Sequence, residues 1–436
     1  MRRFLIVTAV MAFLGGYCAQ PGSAGENAEF TVNPAGWRPT EGAALSVQQL
    51  EALAVQHNPT LEQARAETWK AYGRYVQAGL YPNPEVGYAA SEVGNEGRAG
   101  QQGIYFQQEF VFGDKLALSQ NIGTAERNAA EHAITLQELR VRNNVRLEYY
   151  AILTAKRNYE LADQLLKVAE SASHLAKLRR EQGEGSRIDE LQARGEQQRA
   201  GVRLLQANNG IDAAWNRMLA VVGDSTLSPQ PLAGSLEKDS LPDITFDELL
   251  ARLQSNSPQI QLAEARVGRA KAAYARAEVE PIPNVTLQNT VQYDDSTNFT
   301  VVGIQATLPI PIFNRNQGNM TAAENDWIRA SKETKRLQLS LRRDLAERWL
   351  QFANARVQVE RYKSEVLPTV SETLSLTREA YQAGEASYLQ LLTAQRSYKE
   401  TYREYVSSLG IAWQEAVRLN GLLLSDGLAP AESVTD

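Results

Sequence analysis

Apolar side chains recur at every third or fourth residue over most of the chain, and at every second residue in four short stretches. The helical pattern begins near Ser46, a good N-cap, and runs to about Gly79, where Tyr81-Pro82-Asn83-Pro84 stops it. Two strands follow. Val86, Tyr88 and Ala90 alternate with small or polar residues, and after a loop over 91–102 so do Ile104, Phe106, Phe110 and Phe112. Further on, Val285, Leu287, Val291 and Tyr293 alternate with Thr286, Gln288, Thr290 and Gln292. Asp294-Asp295-Ser296-Thr297-Asn298 makes a turn, and Val302, Ile304, Ala306 and Leu308 return against Val301, Gly303, Gln305 and Thr307. Each strand would have one apolar face and one polar, mostly uncharged face. At roughly 9 or 10 residues, it would match a tilted transmembrane strand.

Between and after the strands, helical periodicity predicts two long helices of roughly 66 residues and 100 Å each, from Lys115 to Arg180 and from Gln317 to Gln382. Their seams correspond: Val141, Val145, Tyr149 and Ile152 against Leu341, Leu345, Trp349 and Phe352. Each ends at a glycine turn, Gly183-Glu184-Gly185-Ser186 and Gly384-Glu385-Ala386-Ser387. A shorter helix follows each, from Arg187 to Val222 and from Tyr388 to Leu422.

The whole plan occurs twice. At one constant offset Pro59, Pro82 and Pro84 meet Pro258, Pro281 and Pro283, while Leu61, Ala71 and Tyr75 meet Ile260, Ala270 and Tyr274. Proline restricts the backbone, so three prolines in one register mean one backbone plan used twice. The expected organisation is a first repeat over 45–222, a Ser-, Pro- and Gly-rich linker over 223–243, a second repeat over 244–422 and a tail over 423–436. In each repeat the helix before the strands and the helix after the turn add up to the length of the long helix. Each repeat therefore supplies two helical columns and two strands.

Four strands cannot close a barrel, and open sheet edges are not tolerated in lipid. Two copies supply eight strands and three supply twelve. Twelve helical columns leave an interior where eight leave little. The fold expected is mainly α with a small transmembrane β part: long coiled-coil-like helices form an α-barrel, and four strands per chain contribute to a twelve-stranded β-barrel in a homotrimer.

Composition narrows the rest. The chain has 436 residues, 43% hydrophobic and 22% charged, which is foldable, and a net charge of −6, which argues against a nucleic-acid partner. Residues 1–24 read as a secretory signal: Arg2 and Arg3, the short apolar run FLIVTAVMAFL, then Gly22-Ser23-Ala24 as a cleavage site. Cys18, the single cysteine, offers a second reading as a lipidated N-terminus, with Tyr17 standing where a small residue is wanted. Residues 25–44 read as an extended arm. No later run is apolar enough for a membrane helix. His57, His132 and His174 are not spaced as metal ligands, and no catalytic motif appears, so neither a metal site, a cofactor nor an enzyme is expected.

With the repeats, the Asn58-Pro59 and Ser257-Pro258 helix starts, the strand–strand–long-helix order and the turns GEGSRIDELQAR and GEASYLQLLTAQR, the chain resembles the TolC-like outer-membrane efflux proteins. The run from Leu308 to Gly318, LPIPIFNRNQG, resembles the heavy-metal branch, similar to the CzcC subunits. The resemblance implies a passive trimeric exit duct in outer membrane lipid with a long periplasmic extension. It also implies a periplasmic membrane-fusion adaptor and an inner-membrane RND-type pump as partners. Heavy-metal cations are the expected cargo. A drug or small-molecule duct of the same family, or a secreted coiled-coil structural protein, is the alternative.

The resemblance places Gly183, Ser186, Gly384 and Ser387 at the periplasmic tip, where the adaptor docks; the plainer reading is two helix-hairpin turns. It implies an aperture-closing link between Asp189 and Tyr381, against two solvated residues near a loop. The aspartates that some members carry past the second turn are replaced here by Gln390 and Thr393. An acidic tip would then rest on Glu184, Asp189, Glu190 and Glu385, with Arg179, Arg180 and Arg187 near enough to neutralise it. Pro368 has no counterpart in the first long helix and should kink the second, as a fixed bend or as a hinge.

Overall fold

The computed structural model describes residues 44–94, 97–237 and 240–433. The expected signal segment, Cys18 and nearly all of the extended arm lie outside the described residues. In chain order the elements are α1 (Val47–His57), α2 (Pro59–Ala78), β1 (Glu85–Ser91), β2 (Gln101–Phe110), α3 (Lys115–Glu181), α4 (Arg187–Val222), α5 (Phe246–Asn256), α6 (Pro258–Glu278), β3 (Val285–Asp294), β4 (Phe299–Thr307), α7 (Gln317–Arg361), α8 (Leu367–Ala383) and α9 (Tyr388–Asn420).

The helical stretch that the apolar spacing predicts from Ser46 to Gly79 is two helices, the second beginning at the Asn58-Pro59 start that the family resemblance marks. Asn58 leaves helical geometry (φ −70°, ψ 122°), its side chain caps Thr60, and Pro59 begins α2. Proline suits the first position of a helix, where its missing N–H is no loss, but not the interior. Ser257-Pro258 breaks the second repeat at the matching place.

The 67-residue α3 is continuous. Its counterpart, from Gln317 to Ala383, is equally long but interrupted by a π-helical turn over Tyr362–Val366, just ahead of Pro368 in α8. The proline ring clashes with the carbonyl four residues back, and a wider turn relieves this.

The helices form a wall of four columns. α2 and α4 pack along one side of α3, α6 and α9 along its other side, and α7 with α8 lies beyond them. Gly123 lets α2 approach α3, since a Cβ there would lie 2.7 Å from Tyr75 Cα. Between the columns a core gathers Val141, Val145, Ile152, Met218 and Val406 from both repeats. The segment joining the repeats belongs to this core. Leu232 and Leu236 are buried, Leu45 N–H donates to Pro231 O (2.8 Å), and Trp413 Nε1 donates to Leu236 O (3.1 Å).

β1 to β4 form one antiparallel sheet in sequence order, with β2 joined to β3 across the repeats from Gln101↔Asp294 to Phe110↔Val285. β1 and β4 are its two edges.

Candidate functional site

Two places are candidates for function: the sheet and the opposite ends of the long helices. In the sheet, register sets the chemistry. Val86 pairs with Phe106, Tyr88 with Ile104, Ile104 with Val291, and Val291 with Val302. These residues share one face, and all are exposed in the single chain. On the other face lie Tyr105, Gln107, Thr286, Gln288, Thr290, Gln292 and Gln305, a hydroxyl- and amide-rich surface suited to water. An apolar outer band with a polar inner face is the pattern of a transmembrane barrel wall. Beyond their single partners, β1 and β4 present unpaired edges. In lipid each unsatisfied backbone group costs several kcal/mol, so these edges require partners.

At the far ends of the helices, the two turns are built alike. Gly183 (φ 81°) and Gly384 (φ 82°) take the left-handed conformation that ends a helix. The N–H groups of Glu184 and Gly185 donate to Arg179 O (2.9 and 3.0 Å), and those of Glu385 and Ala386 donate to Ala380 O (2.8 and 3.1 Å). Ser186 Oγ then accepts from Asp189 N–H (3.1 Å), and Ser387 Oγ from Gln390 N–H (3.3 Å). Asp189 and Gln390 thus occupy the same position in the two caps. Only Gln390 also reaches back with its side chain, its Oε1 accepting from Ser387 N–H at 2.7 Å.

Tyr381 and Tyr388 form the buried centre of this end, 4% and 3% exposed, edge to face at 6.0 Å among Ala176, Ala193 and Leu391. Arg179 crosses from α3 to the second turn. It donates to Tyr381 O (3.1 Å), and its guanidinium carbon lies 5.2 Å from the Tyr381 ring centre. Asp189 is half-buried and close enough to act on the phenol: burial raises the Tyr381 pKa, Arg179 opposes this and Asp189 adds to it. Glu190 is held by Arg187 (2.7 Å) and Arg180 (2.9 Å). The Arg187 hydrogen bond, with Arg180 beside it, keeps its carboxyl below the usual range. Glu184 and Glu385 are exposed.

Arg179 was named from the sequence only as a neutralising charge. Its counterpart in the second repeat is Ala380, and that asymmetry was the available signal. Among the described residues no three His, Cys, Asp or Glu gather into a group that could hold a metal ion.

Burial pushes the Tyr388 phenol up to about 12. Its folded value exceeds the ordinary value of about 10, so its contribution is complete below about pH 10 and is lost as pH rises through about 12. Alkaline titration should loosen this end of the molecule before the rest, and Tyr388→Phe should shift that loosening to higher pH. Hydrogen exchange of peptides spanning 172–200 checks it; protection that is the same at pH 9 and pH 12 would refute it.

The sequence model of the family described as "Outer membrane efflux protein" matches residues 50–224 and 249–423, one match per repeat. The "Cobalt-zinc-cadmium resistance protein CzcC" of Cupriavidus metallidurans is 28% identical over 88% of this chain and 91% of its own length. The "Cation efflux system protein CusC" of Escherichia coli strain K12 is 25% identical over 89% of this chain and 88% of its own. Among solved structures, CusC superimposes with a TM-score of 0.74 at 20% identity, covering 90% of this chain and 95% of its own. The outer membrane protein VceC of Vibrio cholerae superimposes with a TM-score of 0.70 at 21% identity, covering 87% and 96%.

Proposed function

The chain belongs to the outer membrane efflux protein family, and we propose that three copies close into a duct that carries metal cations from the periplasm out of the cell. As a family member it is an outer-membrane channel of a tripartite efflux system, working with an adaptor and an inner-membrane pump and catalysing no reaction. The observation that carries a closed ring of copies is the doubly open edge, and the interior that twelve helical columns leave is what favours three. β4 of one copy has an unpaired side and β1 of the next has another, so pairing them leaves no edge in lipid. The helical wall is open in the same sense. Trp69, Tyr72 and Val202 are exposed on the α2–α4 side, and Ile328, Leu339 and Val357 on the α7 side. Copies joined edge to edge bury both rows.

The metal cargo rests on the relatives named for cobalt, zinc and cadmium resistance and for cation efflux. Deletion followed by growth on Zn, Co, Cd, Ni, Cu and Ag beside a drug panel tests this. Sensitivity to metals is expected; sensitivity to drugs alone would give the duct a different cargo. A trimer is expected on mild-detergent gels, and a soluble monomer would end the duct reading.

The end bearing Gly183, Ser186, Gly384 and Ser387 is the adaptor-facing tip in this reading, and Arg179 with Tyr381 and Asp189 holds its aperture. Arg179→Ala removes a charged hydrogen bond and a cation–π contact, about 2 kcal/mol together and so more than tenfold in a closed–open equilibrium. It should raise single-channel conductance. Tyr381→Phe keeps the carbonyl and the ring that Arg179 holds, and should do less. Asp189→Ala should also leak. Unchanged conductance in all three variants would remove this cluster from the gate.

A further inference from the structure

Beyond the last paired residue of β4 the apolar pattern does not stop. Val302, Ile304 and Ala306 lie on the outer face of the sheet, and the same alternate positions continue as Leu308, Ile310 and Ile312, followed by Phe313. All four of these are exposed, Ile310 by 74% and Phe313 by 90%, and Phe112 at the matching end of the first repeat is exposed too. Side chains this apolar, side by side in water, call for a covering.

The backbone of the segment is also unusual. The intervening positions are Pro309 and Pro311, which have no N–H to leave unsatisfied, and Ile312 N–H donates to Ile310 O (2.9 Å). A strand end that must leave the sheet while still in a poor solvent for N–H groups is served by this arrangement. Immediately afterwards the chain turns polar, with Asn314, Arg315 and Asn316. Asn316 Nδ2 anchors to Ala277 O on α6 (2.8 Å), and Gln317 Nε2 donates to Phe313 O (3.2 Å). The apolar tip is therefore held on a fixed turn. Arg315 sits next to it, where a guanidinium reaches lipid phosphate while its stem stays beside acyl chain.

We infer that the segment from Leu308 to Phe313 is a membrane anchor outside the barrel itself, seated in the periplasmic leaflet among phospholipid acyl chains, with Arg315 at the phosphates. This rests on the barrel reading above and adds to it a lipid contact made by residues that pair with no strand. Its continuity with the outer face of β4 selects lipid over a neighbouring copy as the occupant.

Photocrosslinking of the full-length protein in its own outer membrane tests this, with Phe313→p-benzoylphenylalanine and, separately, Ile304→p-benzoylphenylalanine. On irradiation, both are expected to gain the mass of one phospholipid. A covalent dimer through position 313, or no adduct there while position 304 takes lipid, overturns the anchor and leaves the barrel standing. No lipid adduct at either position overturns both.

Discussion

Ile304→Arg should abolish the assembled channel. Ile304 lies near the middle of β4, pairs with Asn289 and is 74% exposed on the apolar face. In a barrel it meets acyl chains near the centre of the bilayer, where an arginine costs about 2–4 kcal/mol. Three copies multiply this to roughly 6–12 kcal/mol, comparable with the whole stability of an ordinary domain. The adjacent Gln305 faces the polar side, so Gln305→Arg places the same charge in water at little cost. The pair is thus a test of which face is which. Ile304→Arg should leave no trimer in the outer-membrane fraction and reproduce the sensitivity of the deletion strain, while Gln305→Arg should assemble. Normal assembly of Ile304→Arg would mean that this face does not meet lipid.

That test is available because the strands were legible. Alternation of Val302 and Ile304 with Gln305 and Thr307 needs only a period of two, and register follows from it. The long helices were legible for the same reason, since their seams persist over many turns. The break at Asn58 was not legible in that spacing, which continues across it into Leu61 and Ala64; only the family resemblance marked Asn58-Pro59 as a helix start. The informative signal was chemical: an asparagine able to cap, followed by a proline at the one helical position that welcomes it. The joining segment was read from its Ser, Pro and Gly as a simple connection. Its two buried leucines, Leu232 and Leu236, are too few to show a period.

The tip divides along a similar line. The turns announced themselves through glycine and serine at positions that require a left-handed residue and a cap. Arg179 did not, because its partner is the carbonyl of Tyr381, and a backbone carbonyl leaves no mark on the sequence. Pro368 was visible, but the π-helical turn ahead of it was not. That widening sits where Tyr362 OH donates to Glu404 on α9 (2.6 Å), a partner set by the packing of two distant helices.

Asn143→Leu should destabilise the junction of the two repeats by about 1–3 kcal/mol, the cost of leaving the buried Leu424 carbonyl without its donor. Asn143 lies on α3 with no exposed surface, and its Nδ2 donates to Gly421 O and Leu424 O, both at 2.9 Å. These carbonyls belong to the segment just past α9, where Leu422 (φ 56°) and Leu423 (φ 63°) take a left-handed backbone that leucine resists. The last carbonyls of a helix lack internal partners, so a turn that buries them needs an outside donor. Asn143 is that donor for Leu424 O and adds a second hydrogen bond to Gly421 O, which also accepts from Leu424 N–H (3.1 Å); the chain then continues across the first repeat. Gly427 O accepts from Thr60 Oγ1 (3.1 Å) and Gln137 Nε2 (3.2 Å), and Glu432 pairs with Arg140 (2.9 Å). Leucine fills similar space but donates nothing. The loss should therefore fall on the tail first: in Asn143→Leu, trypsin should cut at Arg418 before the long helices unfold, and the melting temperature of the detergent-solubilised protein should drop. Asn143→Asp presents oxygen to oxygen and should do at least as much harm. A variant that keeps both the wild-type melting temperature and a protected Arg418 would show that the tail is held by its ion pairs and Leu424 alone.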